Sequence, residues 1–203
     1  MVEKFTEWLK ENKYKFKDSG FCDLDITYIS PEKGGSGAII ARMDNDRYFC
    51  DINVRNDEII NIEAISSNEN DTPFMMYGQV NKYVDFDNYM GSFFEFIGGG
   101  ASGESLDDWL NKNSGKFKEL GFGAVTEENS GDEKLQAVFK TERGKYICRF
   151  SVGKDNCISI EIEERGDDVL PFWIHLAAGG RVDFDKLMCN FFDFFKGDTF
   201  EHE

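Results

Sequence analysis

The sequence predicts an α+β protein of two tandem α-β-β-β-β-α modules, each an antiparallel sheet with its helices packed on one face. Three observations predict it. The same residues recur in the same order about a hundred positions apart, apolar residues repeat with helical spacing at both ends of each repeat, and the segments between alternate with a period of two.

The recurrence is direct. Trp8-Leu9-Lys10-Glu11-Asn12 lies above Trp109-Leu110-Asn111-Lys112-Asn113, and Phe16-Lys17-Asp18-Ser19-Gly20-Phe21 above Phe117-Lys118-Glu119-Leu120-Gly121-Phe122, both at an offset of 101. From Arg47-Tyr48-Phe49-Cys50, matched to Lys145-Tyr146-Ile147-Cys148, the offset is 98. It holds for Ile60-x-Ile62-Glu63 and Ile158-x-Ile160-Glu161, for Pro73-Phe74 and Pro171-Phe172, and for Val84-Asp85-Phe86-Asp87 and Val182-Asp183-Phe184-Asp185. The division expected is a first module over 1–97, a Gly-rich linker over 98–104 and a second module over 105–203.

Within each repeat the elements follow in order. Phe5, Trp8, Leu9 and Asn12 sit at i, i+3, i+4 and i+7, and Leu106, Trp109 and Leu110 repeat the apolar part, so each module opens with an amphipathic helix that Gly20 or Gly121 ends. Gly37 to Met43, Tyr48 to Val54 and Ile60 to Ile65 read as strands, Asp44-Asn45-Asp46 as a turn, and Pro73 to Tyr77 as the start of a fourth strand. In the second copy Cys157 to Glu163 alternates cleanly, as a sheet solvated on one side requires. Phe86, Tyr89, Met90, Phe93, Phe94 and Ile97 form a closing helix, repeated by Phe184, Leu187, Met188, Phe191, Phe192 and Phe195, with Asp85 and Asp183 at the N-cap.

A hydrophobic fraction of 40% supplies a core, and a net charge of −16 argues against nucleic acid or an anionic membrane as partner, because phosphate binding needs a basic surface. Each repeat has a net charge of −8. The expected partner is a basic protein, and the expected state a monomer with pseudo-twofold halves. The N-terminus lacks a basic and apolar leader, and the longest apolar run, Val169 to Ala178, is too short to span a bilayer. Five cysteines, an odd number without a Cys-x-x-Cys, fit reduced thiols in a cytoplasm.

Motifs for chemistry are weak. Gly98-x-x-x-x-Gly103-Glu104-Ser105 places a glutamate where a phosphate loop needs lysine, and Gly34-Gly35-Ser36-Gly37-Ala38 leads into a strand and not a helix. Asp44-x-Asp46 lacks the glycine and bidentate acid of a calcium loop, and the Asp-x-Asp pairs at 85 and 183 suit helix capping better than a metal. Cys50 and Cys148 read as small buried hydrophobes, His175 as a core or rim histidine, and His202 as part of a frayed terminus. No cofactor, metal or catalytic residue is expected. The copies match in packing residues and differ most in polar loops, Ile29 to Gly34 against Glu127 to Glu133, which suits a binding protein; an enzyme with its site in one copy only is the other reading of this pattern.

The order of Trp-Leu helix, alternating strands and an aromatic-rich helix after Val-Asp-Phe-Asp resembles the TriTu-type immunity proteins that protect bacteria from contact-dependent toxins, in tandem duplication. The resemblance implies binding and neutralising a toxin without catalysis. The expected partner-binding residues are Glu127, Glu128, Asp132 and Glu133, with Trp173 as an aromatic anchor. The alternative is a chaperone-like pseudo-dimer for secreted clients.

Overall fold

In a computed structural model, which describes residues 1–31, 36–68, 73–100, 104–129, 131–167, 170–178 and 182–198, with 196–198 by backbone alone, the repeated Phe-Lys-x-x-Gly-Phe segment ends the opening helical region of each half. Helix α1 (Val2–Asp18) closes where Gly20 takes a left-handed φ of 88°. The Gly20 N–H donates to Lys17 O and the Phe21 N–H to Phe16 O, which satisfies carbonyls the helix end leaves free. Helices α3 (Leu106–Lys112) and α4 (Ser114–Glu119) end identically at Gly121, with Phe122 packed on Phe117 at 5.5 Å. One helix is predicted there and two are found. Ser114 and Gly115 replace Lys13 and Tyr14 and lower helix propensity at the break.

The closing helices are α2 (Phe86–Ile97) and α5 (Phe184–Asp198). Asp85 accepts from the Asp87 N–H and Asp183 from the Lys186 N–H, the capping the sequence predicts. The second aspartate of each motif has a different role. Asp87 Oδ1 accepts the Trp8 indole N–H at 2.9 Å and Asp185 Oδ1 that of Trp109 at 2.8 Å, so each closing helix is tied to its opening helix at the same point.

The strands are β1 (Leu24–Ile29), β2 (Ala38–Asp44), β3 (Tyr48–Arg55), β4 (Ile59–Ser66), β5 (Phe74–Gln79), β6 (Thr126–Glu127), β7 (Leu135–Arg143), β8 (Tyr146–Gly153), β9 (Ile158–Glu164) and β10 (Phe172–Ala177). They form one antiparallel sheet in the order β1-β2-β3-β4-β5-β10-β9-β8-β7-β6. This departs from the expected pair of separate four-stranded sheets. Leu24, Ile26 and Tyr28 make β1 a further strand on the outer edge, and β5 pairs with β10 along their whole length, joining the two halves. The linker assigned to 98–104 lies in part outside the described residues, as do Gly34, Gly35, Val169 and His202.

The contact between the halves is reciprocal. Ile174 faces Gly78 while Leu176 faces Met76, each pair being the other's counterpart at an offset of 98, and His175 faces Tyr77 at the midpoint. Helices α2 and α5 follow the same rule: Lys186 donates to Glu95, and Asn88 to Asp193, its counterpart pair. This is the pattern of an isologous interface. Strand residues of one parity, including Tyr48, Phe74, Phe150 and Phe172, pack on the helices, while alternate residues Phe49, Ile65, Met75 and Tyr77 are exposed. Among the described residues all the helices therefore cover one face of the sheet, and no helix covers the other. Among the described residues no helix is long and apolar enough to cross a membrane.

Two predictions follow from these contacts. A Cβ on Gly78 would lie 2.5 Å from the Trp173 carbonyl oxygen, which is backbone and cannot swing away. Gly78→Ala is expected to lower stability by about 1–3 kcal/mol, seen as a lower urea midpoint at unchanged slope. The Asp87 carboxyl is held below its ordinary range by hydrogen bonds from Lys15 and then Trp8. A carboxylate lowered on folding contributes stability that is full above its unfolded pKa and lost as pH falls through the folded one. Urea titrations should show Asp87→Asn differing most from the parent above about pH 5, the difference shrinking below about pH 4.

Candidate functional site

The uncovered face is built by the same alternation that fills the core. Two rows cross its centre. One runs Gln79, Trp173, Glu161, Arg149 and Lys140, and the next Asn61, Tyr77, His175, Ser159 and Ser151. At the seam between the halves the Tyr77 and Trp173 rings meet edge to face at 4.8 Å, and the His175 imidazole lies 5.1 Å from Trp173. His175 Nδ1 shares a 2.7 Å hydrogen bond with Ser159 Oγ, which orients the ring. Met75, 46% exposed, and Tyr77, 43% exposed, extend the apolar patch. His175 is thus exposed at the middle of the sheet face and is not a core residue.

The two halves diverge on this face. Most helix-facing positions keep their apolar character at an offset of 98, as Cys50 and Cys148, Ile60 and Ile158, Ile62 and Ile160, Phe74 and Phe172 do. Several uncovered positions change in charge or type, as in Asp51 against Arg149, Met75 against Trp173 and Tyr77 against His175, while Glu63 and Glu161 agree. The buried face is constrained by packing in both halves, whereas the uncovered face is free to specialise.

The structure brings together four of the five predicted binding residues. Glu127, Glu128, Asp132 and Glu133 line one concavity of about 570 Å³ at the β6 edge. The Glu128 N–H donates to Val138 O, and Asp132 Oδ1 accepts from the Lys134 N–H, so the backbone holds the loop. Trp173 is not among them. It stands four strands away, roughly 19 Å at the usual strand spacing. The aromatic neighbours expected beside the acidic loop are instead Tyr77 and His175 at the seam. A second concavity, of about 470 Å³, runs from the loop as far as β9, with Glu128, Arg149, Ser151, Ser159 and Glu161 in its lining. Arg149 bonds Glu163 and lies 3.7 Å from Glu128, and these contacts raise its pKa. Tyr77 and Met75 escaped the sequence reading, although alternation from Phe74 already places them opposite the core face.

The remaining candidates are placed as follows. Cys50 and Cys148 are buried on the helix face, away from His175, and burial pushes both thiols up to about 12, far from a reactive thiolate. In the Asp44-x-Asp46 turn, Asn45 Oδ1 accepts from the Arg47 and Tyr48 N–H groups, a local turn bond. Among the described residues no three His, Cys, Asp or Glu side chains are grouped to hold a metal.

Thiol accessibility tests this arrangement. With a chromogenic disulfide reagent, exposed Cys22 is expected to react first in native protein, whereas Cys50 and Cys148 react only on unfolding. Fast native labelling of Cys50 or Cys148, located by peptide mapping, would contradict their burial.

Compared with protein-family models, with curated proteins and with solved structures, the chain matches none.

Proposed function

We propose that this is a non-catalytic, acidic protein-binding module of the immunity type, which neutralises a basic toxin or effector domain in the cytoplasm. The observation that carries the reading is the uncovered sheet face, where the aromatic centre of Tyr77, Trp173 and His175 and several of the charges around it differ between halves whose buried faces largely agree. A net charge of −16 steers a basic domain to such a surface and repels nucleic acid. A non-catalytic role agrees with the backbone. Around the Ser159–His175 pair the interior strands β9 and β10 spend their N–H groups on the ladder, so the backbone there offers no free donor to a developing oxyanion.

The two halves are, in this reading, copies of one α+β module fused as a covalent pseudo-dimer, a monomer in solution. The reciprocal contacts across the β5–β10 seam and between α2 and α5 support it. They equally favour a second reading, a chaperone-like pseudo-dimer that holds secreted clients.

The test is co-expression with the products of adjacent genes. A toxic basic domain should lose its toxicity and bind the chain with an affinity that falls steeply with salt. The quadruple variant Glu127→Gln, Glu128→Gln, Asp132→Asn, Glu133→Gln should associate about tenfold more slowly at low salt with an unchanged urea midpoint. A client bound without any growth protection supports the second reading. Toxicity undiminished and no partner bound would refute both.

A further inference from the structure

The centre of the uncovered face carries a more specific assignment, which rests on the protein-binding reading above. Trp173 is directly opposite Glu161 on the neighbouring strand, close enough for the carboxylate to stand beside the indole. On its other side the exposed Tyr77 ring meets the half-buried Trp173 edge to face, an arrangement that uses only one ring's edge. An aromatic face beside a carboxylate attracts a cation twice, through the ring quadrupole and through the charge.

The charges around it decide which partner fits. Among the described residues the cations on this face are already engaged: Arg42 with Asp51, Lys140 with Glu142, and Arg149 with Glu163, Glu128 and the facing Glu161, three carboxylates around one guanidinium. Arg55 pairs with Asp57. What the face offers to an arriving molecule is therefore carboxylate and aromatic surface. A second copy of this chain brings the same negative charge and is repelled, and nucleic acid is repelled for the same reason. We propose that Trp173 and Tyr77, backed by Glu161, seat an arginine or lysine side chain of a basic protein partner at the pseudo-twofold seam, by cation–π contact with a carboxylate counter-charge.

The full chain has three tryptophans, and two report on the core. Trp8 and Trp109 are buried with their indole N–H groups bonded to Asp87 and Asp185, so Trp173 is the accessible one. The probe is a capped diarginine peptide, titrated against uniformly ¹⁵N-labelled protein, with dilysine and diglutamate peptides alongside. The expected result is movement of the Trp173 indole cross-peak with the two basic peptides, none with diglutamate, and no movement of the other two indoles. Glu161→Gln should weaken binding about three- to fivefold, and Trp173→Ala should abolish the response of the neighbouring Tyr77 and His175 amides. Urea midpoints identical to the parent show that both variants fold. Equal binding by the parent and Glu161→Gln, or shifts confined to the Glu127–Glu133 loop, would overturn the assignment. So would a mass that rises with concentration and is lost in Trp173→Ala, because that gives the face to a second copy. The two levels separate cleanly: a co-expressed partner held equally well by Trp173→Ala removes this anchor and leaves the binding function, whereas a peptide that titrates Trp173 when no adjacent gene product is bound or neutralised leaves the anchor and removes the immunity reading.

Discussion

The antiparallel pairing of β5 with β10 is the contact on which the rest of this structure depends. Without it each half would end in an open strand edge with unpaired N–H and C=O groups, a template for uncontrolled pairing. With it, ten strands become one sheet and the seam lies at the centre of the molecule. Covalent connection between the halves keeps the two edges at high effective concentration, which offsets the mutual repulsion of two halves of equal negative charge. Close approach is served by Gly78, opposite Ile174, and by Gly91 on α2, against which the Lys186 stem lies on its way to Glu95.

One-sided burial follows from that geometry. Every helix has its aromatic stripe on the same side, and the rings of Phe93, Phe96, Phe191 and Phe194 close over Phe74, Phe150 and Phe172. The opposite face receives no helix, so its side chains are not selected by packing. It is here that the halves part: a carboxylate becomes a guanidinium at 51 and 149, and a methionine becomes a tryptophan at 75 and 173. The divergence is physically permitted because changing a residue on this face costs little core stability, while the same change one residue along would bury a charge or open a cavity.

Much of this was legible beforehand. The helix stripes, the N-caps at Asp85 and Asp183 and the stops at Gly20 and Gly121 are local features, set by 3.6-residue spacing and by a glycine's tolerance of positive φ. Strand β1 was missed although Leu24, Ile26 and Tyr28 alternate, because its single partner β2 and its polar neighbours leave the pattern faint. The role of Asp87 and Asp185 was misjudged for another reason. A capping motif explains the first aspartate completely, and only the approach of the opening helix reveals that the second receives an indole N–H. Four acidic residues of the candidate site were named together because they are contiguous in the chain. That Trp173 stands four strands from them, with Tyr77 beside it, could not be read there, because strand order is not written in any local pattern.

The sequence by itself determined the repeat, its helices and most of its strands, the apolar interior and the strongly acidic surface. These depend on residue spacing and on composition, which the chain carries openly. Only the tertiary structure decided that two sheets are one, that the seam places Tyr77 beside Trp173 across 96 residues of chain, and that the acidic loop sits at a far edge. Pairing between β5 and β10 is long-range and reciprocal, so which strand lies beside which depends on contacts far apart in the chain and is not specified by the periodicity of either strand.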